Sequence, residues 1–173
     1  QGNECALDTS VKMALIFRDG MVGNPRLREK GFPEETLGYH ALTASIQGQR
    51  QWTDWMPSSD FAETMLNSSF DWTGIKRPHP IASENDSLQA VSMLFGFLLT
   101  GTAQIFCDVR GYWSRKALED KLGEVLPEAE NGFIYLTNSG PAALDGSMGA
   151  MQDGRPGIKP FWQLTEEDAK RCL

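Results

Sequence analysis

Ile81 to Trp113 reads IASENDSLQAVSMLFGFLLTGTAQIFCDVRGYW, and its reading decides how the rest of the chain is placed. Pro78 and Pro80 end what precedes them and bias the chain toward extended structure. Ser83-Glu-Asn-Asp86 reads as a helix start, a small hydroxyl followed three residues later by an acid. From Leu88 onward, Val91, Leu94, Phe95, Leu98 and Leu99 fall at helical spacing, and Gly101 closes the helix. Ala103 to Val109 is a short apolar run carrying Ile105, Phe106 and Val109, the pattern of a buried strand. Two carboxylates punctuate the stretch: Glu84 at the mouth of the helix and Asp108 near the end of the strand.

Each acid has two readings. Glu84 suits a first helical turn, where the helix dipole favours negative charge. Asp108 could pair with Arg110 or Arg18. Alternatively, both could hold a metal. An ionised carboxylate in a buried strand requires a cation or hydrogen-bond donors, and strand ends in α/β folds are where ligands bind. Caps and ion pairs are the commoner outcome, and two carboxylates without a His or Cys form a weak metal signature.

Outward from this stretch, helices alternate with short apolar strands, which predicts an α/β class for roughly the first hundred residues. Asp8-Thr-Ser10 can cap a helix with Val11, Ala14, Leu15 and Met21 inward, ended by Gly23-Asn-Pro25. Pro33, followed by Glu34 and Glu35, predicts a helix to about Ile46. Gln47-Gly-Gln-Arg50 then forms a polar loop beside Trp52 and Trp55, amides and rings that suit a sugar but equally a plain surface turn. Pro57 to Asp60 starts a helix with Phe61, Met65 and Leu66 inward. Phe70 to Gly74 is a turn in which Asp71 acts more as turn former than as a supporting acid. Ser114 caps a helix to Leu122 with Ala117, Leu118 and Leu122 inward. Gly132 to Thr137, GFIYLT, is a strand, followed by the small-residue loop at Asn138-Ser139-Gly140. Thr165 to Asp168 begins a further helix.

Composition is that of a globular protein, 40% apolar and 23% charged, with a net charge of −7. That balance argues against nucleic acid or an anionic membrane as partner, since both demand clustered Lys and Arg. The start of the chain has no basic region followed by a long apolar core, so no secretory signal is expected. Three cysteines, Cys5, Cys107 and Cys172, lack metal-type spacing and read as free thiols of a reducing, cytoplasmic compartment. Cys107 reads as a small buried apolar residue on the strand face opposite Asp108.

Several segments resemble the L-fucose isomerase family: MALIFRDGMVGNPRL, GFPEETLGYHALTASIQGQRQWTDWMPSSDF, AETMLNSSFDWTG, SENDSLQAVSMLFGFLLTGTAQIFCDVRGYWS and NGFIYLTNSGPAALDGS. They stand in the family's order and cover nearly the whole chain. Ser83 stands where the family often has Thr, Cys107 where it often has Ala, and Gly111 where it often has Thr. The resemblance implies that Glu84 and Asp108 bind a manganese ion (other divalent cations being possible) and act as the acid/base pair, and that Gln47 and Ser139 contact the sugar. It implies a hexamer that converts L-fucose to L-fuculose and D-arabinose to D-ribulose. It also places the chain in the middle of a longer protein. Residues 1–100 would be the back half of a Rossmann-like middle domain, and residues 101–173 the beginning of an α+β carboxy-terminal domain with substantial β structure. The family's third metal ligand, a histidine, matches neither His40 nor His79. The competing expectation is a non-catalytic remnant that binds sugar or partner subunits.

Overall fold

The computed structural model describes residues 2–46, 57–138, 143–147 and 158–172. The chain is mixed α and β, and it divides into two compact units, residues 1–106 with 140–173, and residues 107–139. Among the described residues no helix is long and apolar enough to cross a membrane.

The first unit opens with α1 (Gly2–Val22). This helix begins well before the expected cap at Asp8. Asp8 instead pairs with Lys12 one turn on, and the Ser10 hydroxyl donates to the Ala6 carbonyl. Ala14 and Met21 are buried as expected, whereas Leu15 is exposed. Gly23, at φ 80°, ends α1. The charged stretch after it forms α2 (Arg26–Glu29).

The helix expected from Pro33 to Ile46 is absent. A single 3-10 turn covers Glu35–Leu37, and Ala44–Ser45 is strand β1. Gly38 explains the failure: its φ of 59° and ψ of −167° break the helical path, and a Cβ there would fall 2.4 Å from the Gly23 backbone nitrogen.

α3 (Asp60–Asn67) buries Ala62, Glu63, Leu66 and Asn67, and the hairpin β2 (Phe70–Asp71) with β3 (Gly74–Ile75) follows. Asp71 is the turn former, its Oδ1 accepting from the Thr73 amide and hydroxyl. β4 (Ile81–Ala82), fully buried, lies parallel to β1 with Ala44 opposite Ile81 and Ser45 opposite Ala82. Asn67 fixes β4 from the side. Its Nδ2 donates to the Ile81 carbonyl at 2.9 Å, and its Oδ1 accepts from the Ile81 amide at 2.8 Å. Truncation in Asn67→Ala would strand both backbone groups inside the core. A loss of about 2 kcal/mol in the urea-unfolding free energy is expected.

α4 (Ser87–Thr100) ends in left-handed Gly101, as the sequence indicated. A Cβ there would fall 2.0 Å from the Trp162 ring, so both conformation and space select glycine. The buried face of α4 is Ala90, Met93 and Phe97, not the expected set. Val91, Phe95, Leu98 and Leu99 are exposed, Leu99 by 85%. α4 is apolar on nearly every side, so spacing alone could not choose its inward face. The unit closes with α6 (Glu166–Cys172). The Thr165 amide and hydroxyl donate to Asp168, whose own amide donates back to the Thr165 hydroxyl. Leu164 and Ala169 pack on Phe70.

The second unit is an antiparallel pair, β5 (Asp108–Trp113) with β6 (Phe133–Thr137), joined through α5 (Arg115–Leu122). Ser114 caps α5 by accepting from the Ala117 amide. Leu118 is buried but Leu122 is exposed, against expectation. The apolar run from Ala103 is not strand before Asp108, so this acid begins the strand rather than ending it. Cys107 precedes the strand and is half-buried, so the predicted alternation with Asp108 does not apply.

Candidate active site: the Ser83–Asp86 turn and the start of β5

β1 and β4 run parallel and end together. The chain leaves β4 through Ser83-Glu84-Asn85-Asp86, where the Asn85 amide donates to the Ile46 carbonyl at 2.9 Å and the Asp86 amide to the Ser83 carbonyl at 3.0 Å. Glu84 and Asn85 are both left-handed, at φ 55° and 61°. Two consecutive non-glycine residues in this region carry strain, which persists only where surroundings over-determine it. Glu84 is exposed at the tip of the turn. The expected capping role of Ser83 fails. Asp86 is the cap, its Oδ1 accepting from the Gln89 amide at 2.9 Å, and α4 begins only after it.

The Ser83 hydroxyl turns the other way, to Glu63. Glu63 Oε2 accepts from Ser83 Oγ in a short hydrogen bond, and Oε1 accepts from Ser59 Oγ at 2.6 Å. Its side chain is wholly buried, at 0% exposure. Burial pushes the Glu63 carboxyl above its ordinary value. The Ser59 and Ser83 hydroxyls oppose that rise, and the negative charges of Asp60 and Glu84 add to it. Glu63 thus ties α3 to the residue preceding Glu84. The sequence reading missed it, although an acid sharing the buried face of α3 with Ala62 and Leu66 was the available signal.

In the second unit, Asp108 opposes Thr137 across the β5–β6 pair. A bulge falls at Arg110, since Val109 pairs with Leu136 and Gly111 with Tyr135. Arg110 donates to Asp108 Oδ2 at 2.6 Å, one of the two ion pairs anticipated. The Asp108 side chain remains 42% exposed. The Thr137 hydroxyl opposite it is buried and finds no hydrogen-bond partner among the described residues. Ser139 follows two residues later in sequence.

Glu84 and Asp108 therefore belong to different units. Gln47 and Ser139 lie outside the described residues. No group of three His, Cys, Asp or Glu side chains among the described residues is placed to hold a metal ion. The donor chemistry of the two acids suits a hard divalent cation. Asp108 carries only an accessible surface ion pair, and the orphaned Thr137 hydroxyl adds a polar oxygen beside it.

Comparison with known proteins gives this geometry its context. The family model described as "L-fucose isomerase, second N-terminal domain" matches residues 1–101. L-fucose isomerases of Streptococcus pneumoniae strains D39, R6 and TIGR4 are each 56% identical to the chain over 164 residues. The match covers 94% of this chain and 28% of each relative, so the chain spans just over a quarter of the proteins it resembles. The chain belongs to the L-fucose isomerase family.

Proposed function

We propose that the chain is the part of a metal-dependent aldose–ketose isomerase that supplies two of its metal-binding, proton-carrying carboxylates, Glu84 and Asp108. The reading is supported above all by Glu84. It leads from the carboxyl end of a parallel strand on a strained turn held by a buried acid, within a sequence 56% identical to named L-fucose isomerases. The substrate is L-fucose, giving L-fuculose, with D-arabinose to D-ribulose as a second reaction. Residues 1–100 would form the back half of a Rossmann-like domain, the assembly would be a hexamer, and the compartment the cytoplasm.

Interconversion moves a proton between C2 and C1 of the open sugar, with a base to remove it and an acid to return it. Glu84 and Asp108 divide these tasks, taking the proton from one carbon and relaying it to the other. Their oxygens would also hold the divalent ion, manganese by family resemblance, which supplies polarisation of the carbonyl and acidification of the neighbouring hydroxyl. Gln47 and Ser139 orient sugar hydroxyls. Glu63 and Ser83 keep the Glu84 turn in its left-handed form.

Calorimetric titration of Mn²⁺ into this chain, with a circular dichroism melt on the same sample, tests the metal role. Saturable binding that disappears in Asp108→Asn is expected. Equal binding by the variant, with an unchanged melt, would remove Asp108 from the metal site. The remnant reading has support of its own in the β5–β6 pair, which leaves Val109, Tyr112, Ile134 and Leu136 exposed. Under that reading the chain alone shows no turnover with saturating Mn²⁺ while still binding sugar.

A further inference from the structure

A concavity lies in the first unit, apart from Glu84 and the turn that carries it. It encloses about 330 Å³, within the usual range for small-molecule sites. Its walls come from α1, α3, the β2–β3 hairpin and the Lys76–His79 segment, and it gathers Arg18, Lys76, Arg77 and His79 around Trp72. Among the described residues one carboxylate, Asp71, shares the lining, and its Oδ1 already serves the Thr73 amide and hydroxyl. Asp145, the other acid acting on Lys76, is buried, and both its oxygens accept from the Ser69 amide.

Among the described residues the cations are incompletely answered. Lys76 Nζ donates to the Leu66 carbonyl at 3.1 Å and, in a short bond, to the Ser68 carbonyl, which leaves a third N–H. Arg18 has Asp19 as its ion-pair partner among the described residues, at 4.0 Å, a separation too long for a hydrogen bond, and its side chain is 52% exposed. Arg77 lies over the Phe97 ring at 5.1 Å from the centroid. Burial first, then the charges of Lys76, Arg18 and Arg77, lower the His79 imidazole to about 4. Burial likewise brings the Lys76 ammonium down to about 8. A neutral imidazole among three cations marks a half-buried site with surplus positive potential.

We infer that this cleft binds a small phosphate monoester, with the phosphate held by Arg18, Lys76 and Arg77 and the organic part lying against Trp72. Guanidinium groups match phosphate oxygens bidentately, and Lys supplies a point charge. The indole offers a flat apolar wall. The inference does not depend on the isomerase reading, because it uses neither Glu84 nor Asp108.

The test is proton NMR of the His79 ring in this chain, assigned with His79→Gln, during titration with inorganic phosphate and separately with glucose 6-phosphate at constant ionic strength. A saturable shift is expected, with the ester binding more tightly than phosphate and the His79 titration midpoint moving upward in the complex. Arg18→Gln should weaken binding at least about tenfold, the loss of a charge-assisted pair. Trp72→Ala should erase the preference for the ester while sparing phosphate. Circular dichroism confirms that each variant is folded. A linear, unsaturated response to both anions, or equal affinity in a folded Arg18→Gln, would overturn the site. Saturable binding of phosphate with no advantage for the ester would overturn the assignment of a monoester.

Discussion

On the proposed isomerase function, Glu84→Gln in the full-length protein is expected to reduce kcat by about 10²–10⁴, the range for removing a positioned general acid–base group. The substitution is nearly isosteric and keeps a side chain at φ 55°, so the turn keeps the strain it already has. Its anchors are also untouched: Ser83 still donates to Glu63, Asn85 to the Ile46 carbonyl, and Asp86 still caps α4. What changes is charge and proton affinity. An amide cannot accept the proton from the sugar carbon, and it offers a neutral oxygen where a cation needs an anionic one. Turnover at saturating Mn²⁺, together with a thermal melt, reads both effects. Near-wild-type kcat in a folded Glu84→Gln would remove Glu84 from the chemistry.

Glu63→Ala is expected to lower stability by about 3 kcal/mol, the balance of opposing terms. Burying a carboxylate is unfavourable, as the raised proton affinity of Glu63 records, so its removal returns some free energy. Against that stand a void inside the first unit and the loss of two charge-assisted hydrogen bonds, from Ser59 and Ser83. Each such bond contributes about 1.5–3 kcal/mol, which outweighs the relief. Glu63→Gln separates the terms. It fills the void and keeps one acceptor oxygen, so a loss nearer 1 kcal/mol is expected.

Because the folded protein holds the Glu63 proton more tightly than the unfolded chain, stability from this group is fully present below its ordinary value of 4.5. That stability is lost as pH rises through the elevated folded value. The advantage of wild type over Glu63→Gln should therefore shrink across that window in urea melts at successive pH values. A difference that stays constant with pH would show that Glu63 does not titrate as the burial implies.

What was legible in the sequence was mainly where elements stop. Gly23, Gly101 and the Ser114 cap fall where expected, as does the strand at GFIYLT. Each is decided by local chemistry, either a left-handed backbone that glycine tolerates or a hydroxyl that accepts from an orphaned amide. Faces and partners were not legible. α4 is too uniformly apolar to reveal that Ala90, Met93 and Phe97 turn inward. The run from Ala103 has strand composition, but its ladder begins only where β6 supplies partners, at Asp108 opposite Thr137. Pro33 signals a helix start that Gly38 overrides.

The candidate site divides in the same way. Glu84 and Asp108 stood out as acids in apolar surroundings, yet on the residues alone caps and ion pairs were the commoner explanation. The structure shows Asp108 in such a pair, with Arg110. It was the family's wording of the sequence that promoted them. Glu63 went unread because Ser83, on a separate segment, meets it only in the folded chain, while Ser59 lies one helical turn before it.

The closure of Phe70 has a consequence for synthesis. The Ser69 amide is held by Asp145, 76 residues later, and the Phe70 ring is covered by Leu164 and Ala169 beyond that. At translation rates of about 5–20 residues per second, a nascent chain waits roughly 4–15 s between making Ser69 and making its partner. During that interval a large ring and an unpaired amide remain open at the ribosome, with the whole of residues 107–139 emerging in between. A premature stop before Asp145 would release a chain whose β2 lacks this cover. For that reason Asp145, Leu164 and Ala169, distant in sequence from Glu84, complete the cover of β2 in the unit that carries Glu84.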